Sequence, residues 1–508
     1  MKKSIRNFTN EYDLYLQDES RKTGYAETVS FPKDIEEAAS IVKYCCENDV
    51  PVTVRSGGTG VGAGAVPFGG HLMSMEKIKG LKMGADGMSV IAGAGCSLNE
   101  INRFITINTG GNLFLPPDPT EGSAGAGGMV SCNSSGARTY MYGPVRNYVK
   151  RLTIILSDGK ILDIERGKIF ASGRNFEING EALGGTGKIS GKLPGYEMPK
   201  VKNAAGYYIK EDMDLIDLFI GAEGTLGIVT EAEFSLVEKP KYIWGIIAFF
   251  RNEENGIDFS EMVKGCDDLS NSIMSVEFFD QGSLELLREK AEASKGSGGF
   301  RIIPSEFKEA VFTELKGEAH EDMILALKRL EDLITAAGGN PDDAWCAVSG
   351  RSFEAFKELR HATPEGVNNR IAEIKKSCPA ITKLGSDMSV PGKLFKETVK
   401  MYKRDLENAG LEYVMFGHIG DSHLHVNIIS RNEEEYFKGK EIFAGWAEHM
   451  GMIGGSISAE HGVGKLKREF LVKMYGEKSV DEMRELKKIF DPKGLLGRDN
   501  IFLWDIVR

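Results

Sequence analysis

The feature that most constrains this chain is Arg55-Ser56-Gly57-Gly58-Thr59-Gly60-Val61-Gly62-Ala63-Gly64, which directly follows the strand-like run Val50-Pro51-Val52-Thr53-Val54. A strand that ends in a run of glycines presents backbone N–H groups that no side chain shields, and such groups cradle a phosphate or pyrophosphate. Two common phosphate loops do not fit. A P-loop closes on Gly-Lys-Ser/Thr, and the next lysine is Lys77. A dinucleotide-binding βαβ unit needs its glycines to open an amphipathic helix. Here Ala65-Val66-Pro67-Phe68-Gly69-Gly70 cannot start one, and 71–75 reads as a second strand. The loop therefore lies between two strands. On composition alone, an ordinary surface loop is the alternative.

The chain is 508 residues long, enough for two or three domains and a large core. Its 41% hydrophobic and 27% charged residues are those of a soluble globular protein. No apolar run approaches the ~20 residues that span a bilayer. The start, Met1-Lys2-Lys3-Ser4-Ile5-Arg6-Asn7, is basic but has no apolar core behind it, so it does not read as a signal peptide, and a cytoplasmic location is expected. A net charge of −11 argues against nucleic acid as a partner. Cys45, Cys46, Cys96, Cys132, Cys266, Cys346 and Cys378 form no C-x-x-C pair, so no zinc ribbon or iron–sulfur cluster is legible and reduced thiols are expected.

Along the chain, 1–24 is polar and reads as a lead-in helix. Asp34 is placed to cap a helix carrying Ile35, Ala38, Ala39, Val42, Cys45 and Cys46 at helical spacing. Residues 88–92 read as a strand and 98–105 as a helix. Next come a proline-fixed stretch, Leu115-Pro116-Pro117-Asp118-Pro119-Thr120, and a small-residue run from Gly125 to Arg138 containing Gly127, Gly128, Asn133 and Ser134. Connections this long inside a compact domain are usually functional. Residues 151–164 read as a hairpin turning at Asp158-Gly159. Residues 165–200 read as a surface excursion. Glu223-Gly224-Thr225-Leu226-Gly227-Ile228-Val229-Thr230 is a glycine-punctuated apolar run suited to close backbone approach. Beyond Pro240 the strand-like segments 242–250, 275–279 and 299–303 alternate with amphipathic helices at 321–337 and 393–409, an α+β pattern with an antiparallel sheet. A last helix at 480–490 is stopped by Asp491-Pro492.

A second constellation lies near the end. Gly417-His418-Ile419-Gly420-Asp421-Ser422-His423-Leu424-His425-Val426-Asn427-Ile428 holds three of eight histidines. Leu424, Val426 and Ile428 alternate with His423, His425 and Asn427, giving a strand with an apolar face and an imidazole/amide face. Further on, Ala459-Glu460-His461-Gly462 puts an acid beside another histidine in a glycine-rich turn. Two imidazoles and a carboxylate suit Zn²⁺, Mn²⁺ or Fe²⁺. Lone histidines are more often satisfied core or surface residues, but three in one segment are harder to explain that way.

These stretches resemble a known class. The Arg-x-Gly-Gly loop, the Pro-Asp-Pro segment, the Gly-Gly and Asn that follow it, Tyr142-Gly143 and the Glu-Gly-Thr-Leu-Gly-Ile-Val-Thr segment are similar to those of the vanillyl-alcohol-oxidase/PCMH flavoproteins. The resemblance implies that Arg55, Ser56, Gly57, Gly58, Thr59, Gly60, Pro117, Asp118, Thr120, Gly127, Gly128, Asn133, Ser134, Glu223, Gly227, Ile228 and Val229 hold FAD. Covalent members often carry His after the paired glycines; Thr59 stands there, which implies a non-covalent FAD. The histidine segment and Gly454-Gly455-Ser456-Ile457-Ser458-Ala459-Glu460-His461-Gly462 resemble motifs of the FAD-linked 2-hydroxy-acid dehydrogenases, which include D-lactate, glycolate-oxidase-subunit and D-2-hydroxyglutarate enzymes.

That resemblance spans roughly residues 25–500. It implies an α+β protein with a lead-in (1–24), a PCMH-type FAD-binding domain (25–240), an α+β substrate or cap domain (241–464) and a C-terminal helical segment (465–508). It further implies His418, His425 and Glu460 as ligands of a divalent metal, zinc first with manganese or iron open. His461 is then the base, and Asn427, Arg360 and Lys383 bind substrate. A guanidinium suits a carboxylate, although Arg360 on an exposed helix face is the plain alternative. The family usually has Asn where His423 stands, so His423 is either a spare ligand or a surface substitution. The tail Leu495-Leu496-Gly497-Arg498-Asp499-Asn500 also departs from the usual pattern, which leaves a flavin contact from the tail open.

The implied partners are a small 2-hydroxy acid and an acceptor that is an iron–sulfur protein, an electron-transfer flavoprotein or a quinone. No transmembrane segment is expected; a homodimer and a peripheral place at the inner membrane stay open. Two rival readings are an alkyl-dihydroxyacetone-phosphate synthase, whose His-His-His run is replaced here by Ala459-Glu460-His461, and a non-catalytic electron-transfer subunit.

Overall fold

The structure is a computed structural model, described for residues 4–185, 187–293, 301–348 and 350–504, with the Arg351 side chain left aside. It divides into two compact units. One comprises Met1–Ser135, Gly143–Lys239 and Ile457–Arg508; the other comprises Gly136–Tyr142 and Pro240–Ser456. The C-terminal stretch thus groups with the N-terminal one.

The first unit holds a four-stranded sheet ordered Ile5–Asn7, Thr28–Ser30, His71–Ser74, Val52–Arg55. Its last two pairings are parallel. Parallel neighbours need a crossover, usually helical; residues 56–70 make it as the glycine-rich loop instead. The helix Ile35–Glu47 is capped as expected, Asp34 accepting from the Glu37 N–H. Its Ala38, Ile41, Val42 and Cys45 pack with Val52, Met73, Met75 and Leu496. Burial pushes the Cys45 thiol up to about 12, as befits an inert core cysteine. An antiparallel five-stranded sheet runs Leu81–Met83, Ser89–Gly93, Ile228–Ser235, Val149–Ile155, Ile161–Glu165.

Several sequence expectations change here. The lead-in is helical only over Asn10–Leu16, as a 3₁₀ helix whose Tyr12 packs with Val29 and Leu72, and Ile5–Asn7 is a strand. The excursion at 165–200 carries its own hairpin, Asn175–Ile178 against Ile189–Lys192, with Phe176 and Ile178 buried. Met1, Lys2 and Lys3, part of the start read for a signal peptide, lie outside the described residues. Arg468–Phe490 is helical except at Gly476, whose φ of 77° interrupts it. Near its end the buried Lys487 donates to Asp491 Oδ2, the Thr225 carbonyl and the Leu496 carbonyl, each at 2.8 Å, so the C-terminal stretch is tied to the glycine-punctuated run.

The second unit is built on an eight-stranded antiparallel sheet. Seven strands run in the order Trp345–Ala347, Tyr242–Phe250, Glu309–Gly317, Ile273–Phe279, Tyr413–Gly417, His423–Ile428, Leu384–Gly385, and Met388–Ser389 also pairs with His423–Ile428. The helices Gln281–Ala293 and Gly350–Ser377 cover one face through Leu284, Leu287, Phe353, Phe356 and Leu359 against Ile247, Phe249, Phe279 and Phe312. Each such side chain contributes about 1.5–3 kcal/mol on full burial. The strand expected at 299–303 is not at that place. Residues 299 and 300 lie outside the described set, 301–303 are irregular, and the strand is Glu309–Gly317, where the alternation is apolar enough to sit mid-sheet.

Candidate functional site

Two groups of candidate residues stand in the two units. In the first unit the glycine loop is shaped by close backbone contacts. A Cβ on Gly57 would sit 2.6 Å from the Ser123 carbonyl oxygen, and Gly58 has a φ of 69° with the Arg55 guanidinium against it. Arg55 itself donates to the Gln17 carbonyl and lies over the Tyr15 ring, so its charge serves to lock the loop to the lead-in. Ser56 donates to the Ala94 carbonyl at 2.7 Å. Gly60 faces open space: the nearest atom to a Cβ there is 3.9 Å away.

These residues fit a dinucleotide's pyrophosphate. The N–H groups of Gly57, Gly58, Thr59 and Gly60 meet no acceptor among the described residues, and glycine leaves them bare. A carboxylate, Asp18, also stands near, its Oδ2 being the atom 3.9 Å from a Gly60 Cβ, and burial raises its pKa.

The other expected cofactor residues take distinct places. Pro117 is buried, Asp118 half-buried and Thr120 exposed. Gly127 is a packing glycine, a Cβ there falling 2.7 Å from Ala94 Cβ, whereas Gly128 has room. Asn133, at φ 48°, accepts from the Arg146 N–H through Oδ1, and Ser134 is half-buried behind the helix Ala126–Ser131. Gly227 lets its strand approach Ile154; Ile228 and Val229 are buried in that strand. The Glu223 carboxylate accepts from the Val463 and Gly464 N–H groups at 2.7 Å each. Burial nonetheless pushes it up to about 7. Its side chain is thus engaged with the turn that carries Glu460 and His461.

In that turn Glu460 is buried and His461 is 36% exposed. Glu460 Oε2 accepts from Ser135 Oγ at 3.2 Å and pairs with the buried Lys202 Nζ at 2.9 Å, while Oε1 lies 3.6 Å from His461 Nε2. Asn500, from the tail whose role was open, bridges the Gly64 and Glu223 carbonyls and accepts from Lys465 Nζ at 2.7 Å. The tail therefore shapes the glycine loop from behind.

In the second unit His418 follows the strand Tyr413–Gly417, and His423 and His425 project from one side of His423–Ile428. One ring nitrogen from each lies within 4.8 Å of the other two. His418 Nδ1 contacts Glu277 Oε1 at 2.6 Å, and Arg360 Nε contacts Glu277 Oε2 at 3.2 Å. Arg360 is therefore not an exposed helix residue; its side chain is 15% exposed. Nor is His423 a surface substitution, being fully buried with Nε2 3.1 Å from Asp387 Oδ1. Gly417, at φ 128°, passes so near His425 that a Cβ would sit 3.0 Å from the ring. Asn427 is buried, opposite Gly385 in the ladder. Lys383 donates to Asn368 Oδ1 at 3.1 Å. Protein packed about its Nζ pulls the ammonium below its usual value, though the residue as a whole is exposed, which limits the fall.

The sequence reading missed Glu277, Lys202, Ser135 and Asp387. Glu277 had a signal: it is the one carboxylate in the apolar strand Ile273–Phe279. Lys202, in an irregular stretch, had none.

The two-unit architecture is that of the PCMH-type flavoproteins. p-Cresol methylhydroxylase superposes with a TM-score of 0.68 at 14% identity, over 99% of this chain and 94% of that one. An alkyldihydroxyacetonephosphate synthase superposes at 0.62 and 13%, over 98% and 82%. Residues 240–501 match the model of the C-terminal domain of FAD linked oxidases, and 26–165 match an FAD binding domain. The chain belongs to the FAD-linked oxidase family. It is 26% identical over 471 residues to a D-lactate dehydrogenase of Archaeoglobus fulgidus, covering 92% of this chain and 89% of the relative. It is 27% identical to the glycolate oxidase subunit GlcD of Bacillus subtilis (94% and 89%) and 26% identical to the mitochondrial D-2-hydroxyglutarate dehydrogenase of Danio rerio (93% and 78%). The protein is an FAD-linked oxidoreductase of this hydroxy-acid type. Among the described residues no helix is long and apolar enough to cross a membrane.

Proposed function

We propose that the protein oxidises a 2-hydroxy acid to the 2-oxo acid, with non-covalent FAD, a divalent metal and His461 as base. The observation that carries the reading is the cluster of His418, His423 and His425 held against Glu277 and Asp387, within a domain whose named relatives act on D-lactate, glycolate and D-2-hydroxyglutarate. In this reading His418, His425 and Glu460 hold the ion, and residues 55–60 with 127–134 hold FAD. Bound FAD supplies the hydride acceptor. A bound divalent ion lowers the pKa of the substrate hydroxyl.

The chain's own side chains do the rest. The fixed positive charge of Arg360, braced by Glu277, pairs with the substrate carboxylate, and Lys383 adds a second cation at its rim. The Asn427 amide orients the substrate. His461 Nε2 takes the hydroxyl proton, the neighbouring Glu460 Oε1 stabilising the imidazolium that forms. The acceptor that reoxidises the flavin is an iron–sulfur protein, an electron-transfer flavoprotein or a quinone.

An anaerobic titration of the purified yellow protein tests this. D-lactate, glycolate, D-2-hydroxyglutarate and the L-isomers of the chiral acids are added separately while the flavin absorbance is followed. Bleaching by one acid, abolished by a chelator and restored by metal, is the expected result. A flavin that stays oxidised with every acid overturns the reading.

A further inference from the structure

We propose that His423 is itself a metal ligand, so that the ion is held by three imidazoles from the segment 418–425 and the site selects zinc over manganese. The inference deepens the metal reading above and rests on it. It departs from the pattern the chain resembles, in which Asn stands at this position.

Strand geometry comes first. His423 and His425 are two residues apart on one strand, so both project to the same side. Their ring centres are 4.6 Å apart, and that of His418 is 5.4 Å from His423 and 5.5 Å from His425. Three imidazoles bound to one tetrahedral ion at about 2.0–2.1 Å place their ring centres roughly 5 Å apart. The observed distances are near that.

The second observation is that a polar group lies beside each ring, as a hydrogen-bond acceptor for His418 and His425 and as a close carboxylate for His423. His418 Nδ1 meets Glu277 Oε1 at 2.6 Å, His423 Nε2 meets Asp387 Oδ1 at 3.1 Å, and His425 Nδ1 meets the Ser386 carbonyl at 3.4 Å. An outer acceptor on one ring nitrogen fixes the tautomer and turns the other nitrogen, with its lone pair, toward an ion. The ligand atoms of His418 and His425 are then Nε2. Three ring nitrogens within 4.8 Å of one another crowd their lone pairs together unless a cation joins them. A buried His423–Asp387 pair serving the fold alone gives no reason for the other two imidazoles to crowd it.

The third imidazole sets the metal. Nitrogen ligands suit Zn²⁺, whereas Mn²⁺ prefers carboxylate and water oxygen. Replacing the third imidazole by an amide should lower zinc affinity far more than manganese affinity.

The test uses full-length flavin-loaded protein, stripped of metal by a chelator and reloaded with Zn²⁺ or Mn²⁺. X-ray absorption at the zinc edge counts imidazoles, and chelator competition gives the affinities. Wild type, His423→Asn and His423→Gln are compared, with flavin absorbance as the check on folding. Three imidazoles in wild type are expected. Both variants should lose zinc affinity by more than the about 10–100-fold that removal of an outer partner costs, with little change for manganese. Two imidazoles in wild type, or variant zinc affinities within about twofold of wild type, overturn the role of His423 and leave the metal reading standing. A wild type that retains no zinc overturns both. The imidazole count needs no variant, so a variant that misfolds does not remove the test.

Discussion

The glycine loop of the first unit and the imidazole cluster of the second are built on opposite plans. In the loop the side chains that could carry charge serve structure: Arg55 locks to the Gln17 carbonyl, Glu223 holds the Val463 and Gly464 N–H groups, and Lys465 reaches Asn500. What remains toward a ligand is backbone. In the cluster the side chains converge, and the backbone only gives way to them, as Gly417 does to His425. A backbone-built cradle recognises shape and negative charge. A side-chain-built cluster supplies lone pairs and protons. Cofactor retention should therefore follow from the glycines, and turnover from the histidines.

The largest effect falls on the histidine that stands in the first unit itself, in the turn held by Glu223. His461→Ala should lower kcat by about 10²–10⁴-fold, or about 3–5 kcal/mol, and leave the flavin spectrum unchanged. Unchanged turnover would remove His461 from the chemistry, and lost flavin would show that a side chain of the first unit, and not its backbone alone, holds the cofactor.

Next is the pH dependence of the buried Glu223. Its folded value of about 7 lies above the usual carboxylate range. The sign follows: the native state binds the extra proton, so this stabilisation is full below pH ~4.5 and is lost as pH rises toward ~7. The size is of the order of 3 kcal/mol. Urea unfolding at pH 5 and pH 8 should show this fall in wild type and not in Glu223→Gln. Parallel profiles would mean that the two backbone N–H groups hold the carboxylate charged throughout.

Two alanine substitutions then sharpen the view of the loop. Gly57→Ala drives a Cβ to 2.6 Å from the Ser123 carbonyl oxygen, backbone that cannot move aside cheaply. It should cost about 1–3 kcal/mol of stability in thermal unfolding. Gly60→Ala meets nothing nearer than 3.9 Å and should leave stability of the apoprotein within about 0.5 kcal/mol. Its Cβ nevertheless occupies the open side of the cradle, so flavin retention on dialysis should fall. A Gly60→Ala protein that keeps its flavin as wild type does would move the pyrophosphate elsewhere.

The same contrast governs what could be read from the sequence. The histidine strand was legible because its residues alternate with period two and histidine is scarce. The helix at Ile35–Glu47 and the hairpin Val149–Ile155/Ile161–Glu165 were legible from a cap and a turn. The glycine loop was visible as a loop but chemically mute, since glycine carries no signal beyond permission; only the resemblance connected it to FAD. The lead-in was legible only in part, because its short polar pattern says nothing of the tertiary contacts of Tyr12. Lys202 and Ser135 meet Glu460 from far along the chain, and no local pattern records such a meeting. For Arg360 an exposed helix face stayed open beside the substrate role, because helical spacing shows a face and not what covers it.

Glu277 is where the second plan can be loosened most gently. Its two oxygens are divided between His418 Nδ1 and Arg360 Nε, so one carboxylate orients both a proposed metal ligand and the proposed anchor of the substrate carboxylate. Glu277→Gln keeps the shape and one acceptor oxygen but removes the charge. If His418 keeps the acceptor, its ring stays oriented and is less basic, and metal affinity should fall by about 10–100-fold, the usual cost of losing an outer partner. Arg360 would then face an amide N–H₂ and swing away, and KM should rise with kcat less affected. If Arg360 keeps the acceptor instead, the His418 ring is freed and the split reverses, with metal loss dominating. Metal affinity and KM measured on the one variant tell which of the two groups Glu277 chiefly serves. Wild-type values for both would mean that neither depends on it.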